Sequence, residues 1–299
     1  MRVSMWQSDV EPREIEGVKL PLVIVGEHVD DRGALAIASL KNLGFVAEQL
    51  KYDPIDLEID WCGERRPVDD FAEIIAARSA SELILEATTL SFAELFVAAH
   101  AGWIAGITRF VFLYVEPKEY TKPLNSSGAD SRDFDLSAEI IGFKAIPGRA
   151  PFLDGVQKQR GVFLAGFEGG RLERAFEALN IIASTSEVVF GVPAYTPGWE
   201  MNSFSNIVPV IEDRHIDGGV FFCPADNPVA MIEFLRKEHE SKPKDAVFFI
   251  APLGTKPHGI GALLFALEQD DVGVIYDHPK PKAGRTAMSL TWHLFDARR

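Results

Sequence analysis

Cysteine is scarce in this chain, with Cys62 and Cys223 the only 2 among 299 residues. They lie far apart and form no pair with metal-ligand spacing. That argues against a zinc site or a disulfide framework, and two reduced, mostly buried thiols are expected. Long uncharged apolar runs are also missing, so no membrane-spanning helix is expected. Residues 1–12 are polar and acidic and lack the basic-then-apolar order of a signal peptide, which fits a cytoplasmic setting. Positive charge is in deficit: 30 Lys and Arg stand against 44 Asp and Glu, a net charge of −14. Long-range attraction to duplex nucleic acid or to an anionic membrane is therefore not expected. A local basic pocket for one small anion is compatible with this charge. The familiar catalytic signatures are absent as well. There is no Gly-x-Ser-x-Gly elbow, no cysteine in a nucleophile context, no dinucleotide fingerprint spacing and no full phosphate loop.

What is present is an ordinary globular composition, 47% hydrophobic and 25% charged. The length suits one large domain or two ordinary ones. Short apolar runs alternate with helical patterns. The first series predicts strands over 20–26, 45–52, 56–62, 82–87 and 109–116, with helices over 31–43, 68–78 and 91–105. Residues 117–135, rich in proline, asparagine and charge, read as a loop or lid. Residues 136–146 read as a strand pair or connector. A second series follows, with strands over 161–166, 187–192, 216–223, 246–251 and 272–276, and helices over 169–179, 227–240 and 260–268. An aromatic loop at 193–206 leads toward a further helix. The run 289–295 reads as an antiparallel edge strand. The expected fold class is α/β, with two Rossmann-like halves over 15–135 and 150–299, mainly parallel sheets and that antiparallel C-terminal edge.

The halves carry a weak repeat. Val23-Ile-Val-Gly26-Glu27 followed by Arg32 parallels Phe163-Leu-Ala-Gly166-Phe-Glu168 followed by Arg171. Ligands of open parallel sheets sit beyond the carboxyl ends of the strands, which selects the candidates. The strongest is Gly254-Thr255-Lys256, between a strand and a helix start. There, backbone N–H groups, a hydroxyl and a lysine suit a phosphate. Gly166, Glu168 and Arg171 form a second glycine-rich turn, its arginine suited to a two-bond grip on an anion. Tyr195 and Trp199 offer flat faces for stacking. His258 lies just before the late helix, and Thr88-Thr89 lie in the turn after a strand of the first half. Glu27-His28-x-Asp30-Asp31 reads as a helix N-cap with solvated charge rather than a metal site.

Gly254-Thr255-Lys256-Pro257 resembles a turn of the CRISPR-associated Rossmann-fold (CARF/SAVED-like) sensor domains of bacterial antiviral systems, and Thr88-Thr89 resembles a degenerate copy. The chain departs from that pattern at Pro252-Leu253, where those families more often have Thr-Gly-Gly. The resemblance implies that the turn contacts a cyclic oligonucleotide second messenger, and that a protein partner or homo-oligomer supplies the output. The expected partner on the residues alone is a small phosphorylated ligand or nucleotide, and no particular cofactor is implied. Two other readings fit. One is a transferase or hydrolase acting on a nucleotide or phosphosugar, with Lys256 and Arg171 stabilising charge and His258, His278 or Glu168 moving protons. The other is a non-catalytic subunit of a larger complex.

Overall fold

The computed structural model describes residues 1–120, 134, 136–153, 158–284 and 286–299. The chain forms two compact units: Met1–Tyr120 with Ala283–Arg299, and Thr121–Lys282. Both are α/β, each built on a parallel core of strands whose connections are helices.

In unit 1 the parallel core consists of β2 (Pro21–Val25), β3 (Ala47–Asp53), β6 (Glu82–Glu86) and β7 (Arg109–Tyr120). Helices α1 (Asp31–Asn42), α2 (Phe71–Ala77) and α3 (Phe92–Ile104) connect them. A short antiparallel extension, β4 (Glu58–Trp61) and β5 (Glu64–Pro67), continues the sheet beyond β3. On the other side the last strand, β16 (Thr286–Arg298), pairs antiparallel with β7, and β1 (Arg2–Ser8) pairs antiparallel with β16. All five residues of β6 are buried, as in a strand covered on both faces. Helix α3 starts at a capping box, with Ser91 accepting from the Glu94 N–H and Glu94 reaching back to the Ser91 N–H.

Unit 2 has five parallel strands in the order β12 (Gly219–Cys223), β11 (Ser186–Gly191), β10 (Gln159–Leu164), β13 (Val247–Pro252), β14 (Val272–Tyr276). The short strand β9 (Lys144–Ala145) adds antiparallel to β14. Helices α4 (Gly169–Ala178), α5 (Trp199–Arg214), α6 (Pro228–Ser241) and α7 (Lys256–Glu268) make the crossovers. Every residue of α7 from Pro257 to Leu267 is buried, which matches its lack of a polar face. A separate two-stranded pair joins β8 (Ser137–Ile140) to β15 (Pro279–Pro281). The cores of the two units share one order, β3-β2-β6-β7 and β11-β10-β13-β14, so the sequence repeat has a topological counterpart.

Several sequence expectations change. The C-terminal strand is antiparallel, but it lies inside the sheet with β1 at the edge, and it belongs to unit 1 rather than to the half 150–299. Trp292 packs in the unit 1 core, and Arg109 ties β16 to β6 through Asp296 at 2.9 Å and Glu82 at 3.0 Å. A return of this kind across the chain leaves no local pattern to read. β1 had no expected counterpart because its side chains are mostly exposed and carry no core signal. Of the expected 117–135 loop, residues 117–120 extend β7, and all the rest but Phe134 lies outside the described residues. Cys62 is exposed, where a buried thiol was expected, because it sits at the turn between β4 and β5 with φ of 53°. Cys223 is buried, and burial pushes its thiol up to about 11.

Candidate functional site

In unit 2 the carboxyl ends of the parallel strands open into the turns after β10, β11, β12, β13 and β14. The turn after β10 and the turn after β13 touch backbone to backbone. A Cβ on Gly166 would collide with the Leu253 carbonyl oxygen, so only glycine fits there. A Cβ on Gly254 would fall about as close to the Ala165 carbonyl oxygen, at 2.5 Å. Unit 1 repeats this contact, since a Cβ on Gly26 would fall 2.7 Å from the Thr89 carbonyl.

The cations and hydroxyls singled out from the sequence are largely engaged within the fold. Arg171, in the first turn of α4, donates two bonds of 2.6 Å to the Asp277 carboxylate and one of 3.1 Å to the Leu253 carbonyl. Burial works against its charge, but the Asp277 carboxylate outweighs burial and holds the guanidinium more firmly protonated than usual. Thr255 is the N-cap of α7: its hydroxyl accepts from the His258 N–H at 3.4 Å and donates to the Ala225 carbonyl at 2.7 Å. Lys256 is half-buried at the first position of that helix. His258 is fully buried, and its Nε2–H donates to the Pro224 carbonyl at 2.9 Å. Burial pushes its imidazole down to about 4. His278 is also buried and is pushed down to about 4, chiefly by burial. Burial thus favours the neutral form of both rings.

Thr88 and Thr89 belong to unit 1. The Thr88 hydroxyl accepts from the Val115 N–H at 2.9 Å. The Thr89 hydroxyl accepts from the Gly26 N–H at 2.8 Å and donates to the fully buried Glu86, which also accepts both threonine N–H groups at 2.8 Å. In the neighbouring acidic cluster Asp30 caps α1, accepting from Gly33 N–H at 3.0 Å and from Arg32 at 3.1 Å, while Glu27 pairs with Lys51 at 2.6 Å. Among the described residues no group of three or more His, Cys, Asp or Glu is arranged to hold a metal.

A cavity of about 420 Å³ lies at the start of α4, lined by Phe134, Phe167, Glu168, Gly169, Gly170, Ser205 and Asn206. Gly254, Thr255 and Lys256 do not line it. Its floor is set by α5, where Ser203 donates to the Gly166 carbonyl at 2.6 Å and Asn206 donates to the Phe167 carbonyl at 2.8 Å. The Glu168 side chain, at the N-cap of α4, does not cap the helix. The Glu168 carboxylate instead accepts from the Ser137 hydroxyl at 2.8 Å and the Ser137 N–H at 3.2 Å, with Arg171 at 3.9 Å. Phe134, Phe167 and Trp199 form a three-ring cluster, with centroid distances of 4.8, 6.0 and 6.2 Å. Tyr195 is half-buried in the turn after β11.

Thus Glu168 lines the cavity and Trp199 packs against two of its lining rings, while Gly166 and Arg171 lie in the adjoining turn and first turn of α4 without lining it. Phe134, Phe167, Ser205 and Asn206 are residues that sequence reasoning missed. Phe167 had a signal, an aromatic side chain inside a glycine-rich turn and outside any apolar period. Ser205 and Asn206 had none, because their relevance depends on how α5 packs on α4.

No protein-family model matches the chain, and no curated protein is similar to it. One solved structure, a crystal structure of an N-terminal ketoreductase from a macrolactin assembly line, aligns over 88% of this chain and 78% of its own, at 9% identity and a TM-score of 0.20. An overlap that shallow carries no argument. The fold itself defines the class, a two-unit α/β protein with Rossmann-like parallel cores. Among the described residues no helix is long and apolar enough to cross a membrane.

Proposed function

We propose that the protein binds a nucleotide or a related phosphorylated small ligand in the unit 2 cavity. The observation that carries this reading is the composition of one wall. Gly169 and Gly170 in the first turn of α4, together with Phe167 and Asn206, all line the same 420 Å³ space. Helix-start N–H groups suit an anion, and an adjacent ring suits a base. The cavity also sits at the carboxyl end of β10, where ligands of parallel sheets gather.

Binding rather than turnover is the favoured output. The histidines considered for proton transfer are buried and neutral, and Arg171 is engaged by Asp277. A finer form of the proposal, a second-messenger sensor in bacterial antiviral defence, rests on the resemblance of Gly254-Thr255-Lys256 to CRISPR-associated sensor turns alone, and that turn does not line the cavity. In that form the messenger's phosphates reach the α4 start. A thermal-shift panel of inorganic phosphate, ribose 5-phosphate, AMP, ADP and cyclic mono- and oligonucleotides tests it. A ligand at a hundred times its Kd adds about 2.7 kcal/mol to stability, a clear rise in Tm. No rise with any member overturns the reading, and consumption of a member during incubation moves it to an enzyme.

A further inference from the structure

We propose that the protein forms a two-fold dimer through the open edge of the unit 2 sheet, with β12 pairing antiparallel to β12 of a second copy. This pairing does not depend on the nucleotide reading.

β12 is an end strand of that sheet, with β11 on its inner side and no strand among the described residues on its outer side. Its ladder with β11 is regular, from Gly219 opposite Glu187 to Cys223 opposite Gly191. The Val192 N–H donates to the Cys223 carbonyl at 2.8 Å, so the backbone groups of Cys223, Phe221 and Gly219 face β11. Alternation along the strand turns those of Val220 and Phe222 outward. This arrangement is self-complementary. Placed antiparallel about Phe221, Val220 of either copy meets Phe222 of the other, and each such pair exchanges two backbone hydrogen bonds. Each pair also sets an aromatic side chain against a β-branched one, a favourable cross-strand combination.

The other sheet edges are guarded. β5 is Glu64-Arg65-Arg66-Pro67, β9 is two residues long, and β1 intersperses Arg2, Ser4, Gln7 and Ser8 with its apolar residues. Charge, proline and shortness all discourage pairing with another chain. β12 reads Gly-Val-Phe-Phe-Cys, without charge, proline or bulge.

The side chains beside this edge are apolar and exposed. Phe222 is 60% and Val220 44% exposed, on the sheet face that α5 covers, where Phe222 meets the Phe204 ring at 6.1 Å. Met201 and Val208, three residues before and four after Phe204, share its flank of α5 and are 43% and 39% exposed. The opposite flank carries Asn206, bonded to the Phe167 carbonyl just before α4. On the other sheet face Phe221 packs on Phe234 of α6 at 5.1 Å. Helix, sheet and helix layers about 30 Å deep, along an α5 of about 24 Å, give an edge of roughly 700 Å², close to the about 800 Å² per partner of a stable interface. A two-fold pairing covers both edges and stops growth at two chains.

Sedimentation velocity on the whole chain from about 0.5 to 50 μM tests this, since interfaces of that size have Kd values of about 1 μM or tighter. A dimer is expected. Phe222→Lys should weaken it at least about thirtyfold and Val208→Lys at least about fivefold, with circular dichroism confirming the fold of each. Val208→Lys, on a helix surface, keeps the test open if Phe222→Lys does not fold. Val46→Lys, at an exposed apolar residue of unit 1, should leave the dimer unchanged. Amide exchange over 219–223 should slow as concentration rises through the dimer Kd. Loss of the dimer in folded Phe222→Lys, with that protection in the wild type, supports the pairing. A monomer at every concentration overturns it, and so does a dimer that the folded lysine variants at 208 and 222 leave intact. Assembly beyond two chains that Phe222→Lys dissolves overturns the two-fold register.

Discussion

The guanidinium of Arg171 and the carboxylate of Asp277 face each other through two parallel hydrogen bonds of 2.6 Å, Nε to Oδ2 and Nη2 to Oδ1. Asp277 is fully buried and Arg171 nearly so. The pair joins the first turn of α4 to the end of β14 and steadies the turn on which Phe167 and Glu168 sit. Its analogue in unit 1 is Arg32, in the first turn of α1, which donates to the Val115 carbonyl at 2.7 Å and to Asp30.

Removing one partner leaves a buried charge alone, which costs about 3–5 kcal/mol. Asp277→Asn should therefore lower stability by about that amount in denaturant titrations. An unchanged midpoint, with loss of an anionic ligand instead, would return Arg171 to the role of ligand contact.

Thr255 acts as a helix cap. Thr255→Val should cost about 1 kcal/mol of stability through loss of that cap. AMP affinity should stay within about twofold, because the residue does not line the cavity. A tenfold loss of affinity by calorimetry would place the Gly254-Thr255-Lys256 turn in the site after all.

Stability should fall on acidification. His258 and His278 have folded pKa values of about 4, below an unfolded value of 6.5. Between those values the unfolded chain binds more protons. The stabilisation is present above pH 6.5 and lost as pH falls toward 4, on the order of 3 kcal/mol for each ring. Urea titrations from pH 8 to pH 4 should show it, and His258→Gln should flatten the slope. A profile of His258→Gln parallel to wild type would count against a neutral buried ring.

Glu187 runs the opposite way. It is 1% exposed, and burial pushes its carboxyl up, against the pull of Arg160 at 3.2 Å and with the push of the Glu238 charge. Its contribution is greatest below its ordinary value of 4.5 and declines as pH rises through the raised one. Glu187→Gln should therefore gain Tm relative to wild type as pH rises from 4.5 toward 8. A Tm difference that does not change with pH would contradict this.

Much of the fold was legible because buried parallel strands leave continuous apolar runs. Phe163–Leu164 and Phe248–Ile250 are fully buried in neighbouring strands and stood out as such. The α1 boundary was legible from Asp30 at its N-cap, whereas α7 begins at Lys256 on its Thr255 cap, four residues before the helix expected over 260–268. The site was less legible. Arg171 and Thr255 have the chemistry of ligand contacts, but only the tertiary structure reveals Asp277 and the Ala225 carbonyl as their partners. Phe134 falls in a stretch without periodicity, and its packing on Phe167 and Trp199 is a long-range contact with no trace in local sequence.

The central claim is that a nucleotide binds at the start of α4 in unit 2. Amide hydrogen exchange followed by mass spectrometry, with and without saturating AMP, tests it most directly. Exchange should slow in peptides covering 166–171 and 203–206, which carry the cavity wall. Protection confined to 254–258, or no protection anywhere, would contradict the account.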